Sequence, residues 1–142
     1  MSDEFEARYG DTMRRIRSGH SVAVTLDRVE TAIRGRGLKF FGRHDHAAAA
    51  REYGLELPPT TVFVFGNPTL GTPSMLEVRE YAIEAPPRGL VYEDDAGDVW
   101  IAWNTAEYLF GIVYPRHGLE MPRDVWAAFN DVVREACEEA AG

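Results

Sequence analysis

The chain is predicted to be an α+β protein: a two-layer α/β sandwich with a mixed or antiparallel sheet, an antiparallel hairpin, and extra N- and C-terminal helices. Three observations carry that prediction. Helix-like and strand-like segments interleave along the chain. The stretch "GLVYEDDAGDVWIAW" (Gly89–Trp103) holds two strands joined by a turn rich in Asp and Gly, the signature of a hairpin. "TTVFVF" (Thr60–Phe65) is β-branched or aromatic at every position, as a central strand covered above and below requires. A hairpin within such an alternation fits two layers better than a doubly wound parallel sheet.

The elements follow in order. Phe5, Tyr9, Met13 and Ile16 recur at helical spacing, which predicts an amphipathic first helix ended by Ser18–His20. On that helix the arginines of "RRIR" (Arg14–Arg17) form a solvated face. "SVAVT" (Ser21–Thr25) reads as a short strand. Thr25 or Asp27 then caps a second helix with Leu26, Val29 and Ile33 on one face, closed by "RGRG". Leu38–Gly42 is the next strand, and Asp45 caps a short alanine-rich helix that stops at Gly54. After Thr60–Phe65, Thr72 and Pro73 form an N-cap and N1 pair for "SMLEVREYAI", which Pro86–Pro87 terminates. Past the hairpin, Asn104 or Thr105 caps a short helix. A last helix starts near Pro122, with Val125, Phe129, Val132 and Ala136 on one stripe.

A chain of 142 residues favours a single domain with its own core. With 45% hydrophobic and 27% charged residues, it sits among globular rather than disordered chains. The amino terminus lacks the apolar run of a secretory signal, and no stretch is apolar for long enough to span a bilayer. A cytoplasmic location and no membrane partner are therefore expected. The net charge of −8 disfavours nucleic acid and anionic lipid as partners. The lone Cys137 excludes an internal disulfide and reads as a small apolar residue of the last helix.

The order of motifs in "GRHDHAAAAREYGLELPPTTVFVFGNPTLGTPSM" (Gly42–Met75) and "LVYEDDAGDVWIAWNTAEYL" (Leu90–Leu109) resembles the domain-of-unknown-function family 302. Asp45, His46, Gly66, Asn67, Pro68, Gly71, Thr72, Pro73, Glu93, Asp94 and Asn104 fall on its pattern. Ser74 departs from it, where a large apolar residue is more usual. The resemblance runs from about Val22 to Tyr108. It implies a small two-layer α/β fold, often dimeric, with no established activity. Residues 22–108 then form a family-like core within one domain, and residues 1–18 and 115–142 are helical extensions.

Three clusters are chemically suggestive. "GNPTLGTP" (Gly66–Pro73) joins a strand to a helix start, where free backbone N–H groups can receive an anion. It lacks the Gly-Lys-Ser/Thr ending of a nucleotide loop, and its residues also serve an Asn-Pro turn and a Thr-Pro cap. "HDH" (His44–His46) offers two imidazoles and a carboxylate, although a catalytic zinc site needs a third ligand such as His117 or Glu93. Glu93, Asp94, Asp95 and Asp98 crowd a hairpin turn, where solvated charges that shape the turn are the commoner case. Trp100 and Trp103 are an odd number apart, so one faces the core and one does not.

The leading expectation is a dimeric domain binding a small anionic or carbonyl ligand, or a partner, with no cofactor. Its site would be built from Asp45, His46, Asn67, Gly71, Thr72, Ser74 and Met75. There the Ser74 and Met75 amides and the Thr72 hydroxyl would receive the ligand, and Asn67 would fix the loop. The alternative is a metal-assisted enzyme using His44, His46 and a hairpin carboxylate such as Glu93.

Overall fold

The computed structural model describes the backbone of residues 2–142 and the side chains of residues 4–142. In chain order come α1 (Ser2–Tyr9), β1 (Met13–Ser18), α2 (Val22–Gly35), β2 (Lys39–Asp45) and α3 (His46–Glu52). Then follow β3 (Thr60–Gly66), α4 (Pro68–Glu77), a 3-10 helix (Arg79–Glu84), β4 (Arg88–Glu93) and β5 (Val99–Asn104). The chain ends with α5 (Ala106–Tyr108), a π-helical turn (Leu109–Val113), α6 (Tyr114–Arg116) and α7 (Arg123–Ala141). The five strands form one sheet in the order β1-β5-β4-β3-β2, antiparallel throughout. The predicted α+β sandwich is what the chain adopts.

Period-two alternation divides the sheet into two unlike faces. Ile16, Val99, Ile101, Trp103, Val91, Phe63, Phe65 and Phe40 share one face and join α2 and α7 in the main core. Burying each large apolar side chain of this kind stabilises the fold by about 1.5–3 kcal/mol. On the other face Val62, Val64, Leu90, Tyr92 and Trp100 stay half-exposed. Thus β3 is central and apolar on both faces, but helices cover only one of them. Trp103 is core and Trp100 lies opposite, covered by Arg15, whose guanidinium sits 3.9 Å from its ring centroid.

The hairpin turn is organised by Asp94. Its Oδ1 accepts from the amides of Ala96 and Asp98, and its Oδ2 accepts from Trp100 Nε1 at 2.9 Å. The Trp100 bond, with those amides, holds the Asp94 carboxyl below its ordinary range. Gly97 takes φ +87°, which the turn demands and other residues resist. The acidic cluster is therefore a turn device.

Four expectations need correction. Met13–Ser18 does not continue the first helix; it is an edge strand paired with β5. Its helical spacing of apolar residues yields to pairing with the Val99–Asn104 strand, a tertiary gain that local pattern does not register. The "RRIR" arginines consequently lie on a strand. "SVAVT" is the start of α2, because the Ser21 hydroxyl accepts from Val24 N and caps the helix. The helix expected over Ser74–Ile83 is broken at Val78 into α4 and the 3-10 turn.

The tightest packing in the sheet is between Phe63 and Gly89, directly paired across β3 and β4. A Cβ at Gly89 would lie 2.1 Å from Phe63 Cζ, a severe clash with the ring. Gly89→Ala should therefore cost about 1–3 kcal/mol, seen as a lower urea midpoint. The penalty should shrink in a Phe63→Leu background; an equal penalty there would show that the ring is not the cause.

Candidate ligand cavity

Helix α4 starts earlier than predicted. Asn67 is its N-cap: its Oδ1 accepts from the Thr69 amide at 3.1 Å and from the Thr69 hydroxyl. Pro68 fills the first helical position, where no N–H is needed. This pair takes precedence over Thr72–Pro73, and Pro73 is carried inside the helix on its exposed side. The Ser74 and Met75 amides thus lie within the helix rather than at its open start. Ser74 is buried, and its hydroxyl hydrogen-bonds the Tyr114 hydroxyl at 2.7 Å.

Beside this helix lies a cavity of about 690 Å³. Its walls come from the end of α2 and the start of β2 (Arg36, Leu38, Phe41), the end of β3 (Phe65, Gly66), and α4 (Leu70, Gly71, Thr72, Met75). Tyr81, Ala85–Pro87, Leu109 and Tyr114 close one side, and α7 closes another through Asp124, Val125, Ala128, Phe129 and Val132. Local features explain the opening. Phe40 pairs with Phe65 and Gly42 with Val64, so Phe41 is the extra residue of a β-bulge, and its ring stands at the cavity edge. Gly66 lets Pro87 approach closely; a Cβ there would lie 3.3 Å from Pro87 Cδ.

The electrostatics are those of a mostly dry wall. Burial pushes the Tyr81 phenol above its usual range, with the Tyr114 hydroxyl adding to the effect. Their rings meet edge-on at 4.9 Å. Behind Tyr81, His117 Nε2 lies 2.8 Å from Glu84 Oε2 and Arg116 lies 3.2 Å from the same oxygen. The His117 contact, then the Arg116 charge, hold Glu84 below its ordinary range. Cys137 is buried in the main core, and burial pushes its thiol up to about 12, which makes it unreactive.

The sequence-predicted residues separate into two places. Asn67, Gly71, Thr72 and Met75 line the cavity, and Ser74 braces its wall through Tyr114. Asp45 and His46 do not join them. Asp45 pairs with Thr61, whereas Gly66 pairs with Lys39 at the other end of β3, five residues or roughly 17 Å away. Asp45 caps α3 through Ala48 N at 2.9 Å. His44 and His46 are neighbours, with ring centroids 4.6 Å apart, but both are exposed. Glu93 points to the helix-covered face and His44 to the other, so the three residues do not converge. Among the described residues no group of three His, Cys, Asp or Glu side chains is placed to hold a metal ion.

Phe65, Phe129, Tyr81, Tyr114 and Arg36 were not picked out as site residues from the sequence. A signal exists in α7, whose apolar residues form two adjoining stripes. Val133, Ala136, Cys137 and Ala140 are buried in the main core, while Val125, Phe129 and Val132 remain half-buried. An apolar face wider than one core needs has a second surface to cover.

Comparison with known proteins agrees with this architecture. The family model described as "Domain of unknown function DUF302" matches residues 14–136. The chain belongs to this family. A solved DUF302 structure, an uncharacterized conserved protein from Bacillus stearothermophilus, superposes with a TM-score of 0.75 at 15% identity. That match covers 91% of this chain and 98% of the other, and it shows the DUF302 fold is shared. The chain is also 41% identical over 110 residues to "Fluoride-specific ion channel FluC 1" of Brucella suis biovar 1 (strain 1330) and to that of Brucella abortus biovar 1 (strain 9-941). The match covers 78% of this chain but 42% and 39% of those proteins, so the chain spans about two fifths of the curated relatives' length. Among the described residues of this DUF302 chain, no helix is long and apolar enough to cross a membrane.

The Ser74–Tyr114 bond holds α4 against α6. Ser74→Ala should leave the Tyr114 hydroxyl short of a partner and cost about 1–3 kcal/mol in thermal or urea denaturation. Tyr114→Phe in the same chain should recover much of that loss; purely additive penalties would show that the two hydroxyls do not cooperate.

Proposed function

We propose that this chain is a small-molecule-binding domain acting as a single unit in the cytoplasm, with its ligand in the cavity between β3, α4 and α7. The observation that carries this reading is the cavity itself. Its volume of about 690 Å³ falls within the usual ligand range of roughly 300–1,000 Å³. Its lining is mainly apolar with few polar groups, the composition that holds a ligand body and orients one end. Four residues expected at the site line it. The metal-assisted alternative has no such support, because Glu93 lies on the sheet face opposite His44.

The names of the Brucella relatives describe proteins more than twice as long as the matched stretch. Fluoride conduction is not carried over in this reading. The domain instead supplies a binding function of its own.

The neutral dye phenylnaphthylamine, which brightens in apolar surroundings, tests the cavity. It should bind saturably with one dye per chain. Ala128→Trp, which places an indole in the mouth from an exposed helix position, should abolish that binding while the far-ultraviolet circular dichroism stays unchanged. No binding to the wild-type chain, or undiminished binding to the variant, overturns the reading.

A homodimer completes the proposal. The half-exposed pair Val62 and Leu90 lies across two adjacent strands, β3 and β4, on the face that α2 and α7 leave open. A second copy set against it buries the same pair twice, as a two-fold contact does. Light scattering on a sizing column should give a dimer for the wild-type chain and a monomer for Leu90→Asp. A monomeric wild type would remove the dimer and leave the cavity reading standing.

A further inference from the structure

The cavity is charged unevenly. Among the described residues lining it, Arg36 is the only cation and Asp124 the only carboxylate. The two stand at opposite ends. Helix α7 contributes Asp124 in its first turn and Val132 eight residues on, a distance of about 12 Å at 1.5 Å per residue. Arg36 lies toward the far end, because its guanidinium meets Glu139, two turns beyond Val132 on the same helix.

Arg36 is loosely held. Its Nη1 donates to the Ala32 carbonyl at 3.1 Å. Its contact with Glu139 Oε1 is 3.4 Å from both Nη atoms, long against the roughly 2.7–2.9 Å of a firm charge-assisted bond. The Glu139 side chain is 58% exposed, so water competes for it. A guanidinium has five donors in a planar fork suited to an acid group, and the contacts to Ala32 and Glu139 leave this one with donors to spare.

Between the two charged ends the wall is rich in rings: Phe41, Phe65, Phe129, Tyr81 and Tyr114. Rings offer faces and edges to a flat apolar body.

We propose that the cavity takes an aromatic acid, its flat body between these rings and its single anionic group on Arg36. Asp124 repels the reversed orientation. This assignment rests on the cavity reading above and names its ligand class. It also moves the anion site from the Ser74 and Met75 amides, which lie inside α4, to a side chain on another element.

Two dyes with a common body test it. Anilinonaphthalene sulfonate carries the anionic group that phenylnaphthylamine lacks. The wild-type chain should bind the sulfonate dye about tenfold more tightly, as a charged hydrogen bond in a partly dry site allows. Arg36→Met should erase that preference, and Arg36→Lys should keep part of it. Glu139→Gln, which removes the internal competitor, should tighten the sulfonate dye and leave the neutral one within about twofold. Neutral-dye binding by each variant reports that its cavity is intact. Equal affinities of the two dyes for the wild-type chain, or a preference that survives Arg36→Met, overturn the charge assignment alone. Failure of the neutral dye to bind the wild-type chain overturns the cavity reading beneath it.

Discussion

Phe129 is the residue on which the two halves of the interior depend. It packs against the main core under the sheet and against the smaller cluster of Tyr81, Leu109, Phe110, Val113 and Tyr114. Its ring lies 6.5 Å from Phe65 on one side and 5.7 Å from Phe110 on the other. A continuous series of rings therefore runs from Phe40 and Phe63 through Phe65 and Phe129 to Phe110, Tyr114 and Tyr81. Beside that bridge the two clusters do not merge, and the cavity occupies the space between them. Close-packed interiors leave few voids larger than a water molecule. A gap of this size thus reflects walls held apart by their own frameworks: the sheet and α2 on one side, α4 and the α5–α6 segment on the other.

Those frameworks are fastened mostly by polar contacts at the rim. Ser74 ties α4 to Tyr114, Asn67 starts α4 at the edge of the sheet, and Asn130 on α7 accepts from the Ala106 amide at 2.9 Å. The Glu84–His117–Arg116 contacts brace the segment behind Tyr81. None of these bonds fills the cavity; each positions a wall. The opening is therefore built from the same short-range rules that build the fold, namely caps, a bulge and satisfied buried hydroxyls.

The parts of this arrangement that could be read from residues alone were those with local causes. The turn of the Gly89–Trp103 hairpin, the Asp45 cap of α3 and the apolar Thr60–Phe65 strand, which extends one residue further to Gly66, each depend on a few neighbouring residues. Met13–Ser18 was misread because its partner, Val99–Asn104, lies some ninety positions away, and edge pairing leaves no mark on a helical spacing rule. The start of α4 is ambiguous in the sequence because two capping pairs five residues apart, Asn67–Pro68 and Thr72–Pro73, have the same chemistry; the chain uses the first. The cavity itself was half legible. Asn67, Gly71, Thr72 and Met75 stood out at a strand-to-helix junction, but their opposite wall comes from α7 and the end of α2, which no linear motif connects to them. His46 also sits at a strand end, but at the end of β2 that pairs with the start of β3, away from Asn67.

The alternation along β3 also separates two kinds of contact. Phe63 and Phe65 point toward the helices, and Phe65 also borders the cavity, whereas Val62 and Val64 point toward the open face. Neighbouring residues of one strand therefore serve surfaces on opposite sides of the sheet, about one side-chain depth apart. In the proposed dimer the cavity faces away from the second copy. The two surfaces share a backbone whose fit to β4 includes the Phe63 ring packed on Gly89. Under the proposed reading, a ligand against Phe65 would touch the strand that also carries Val64 on the open face, so one strand borders both surfaces.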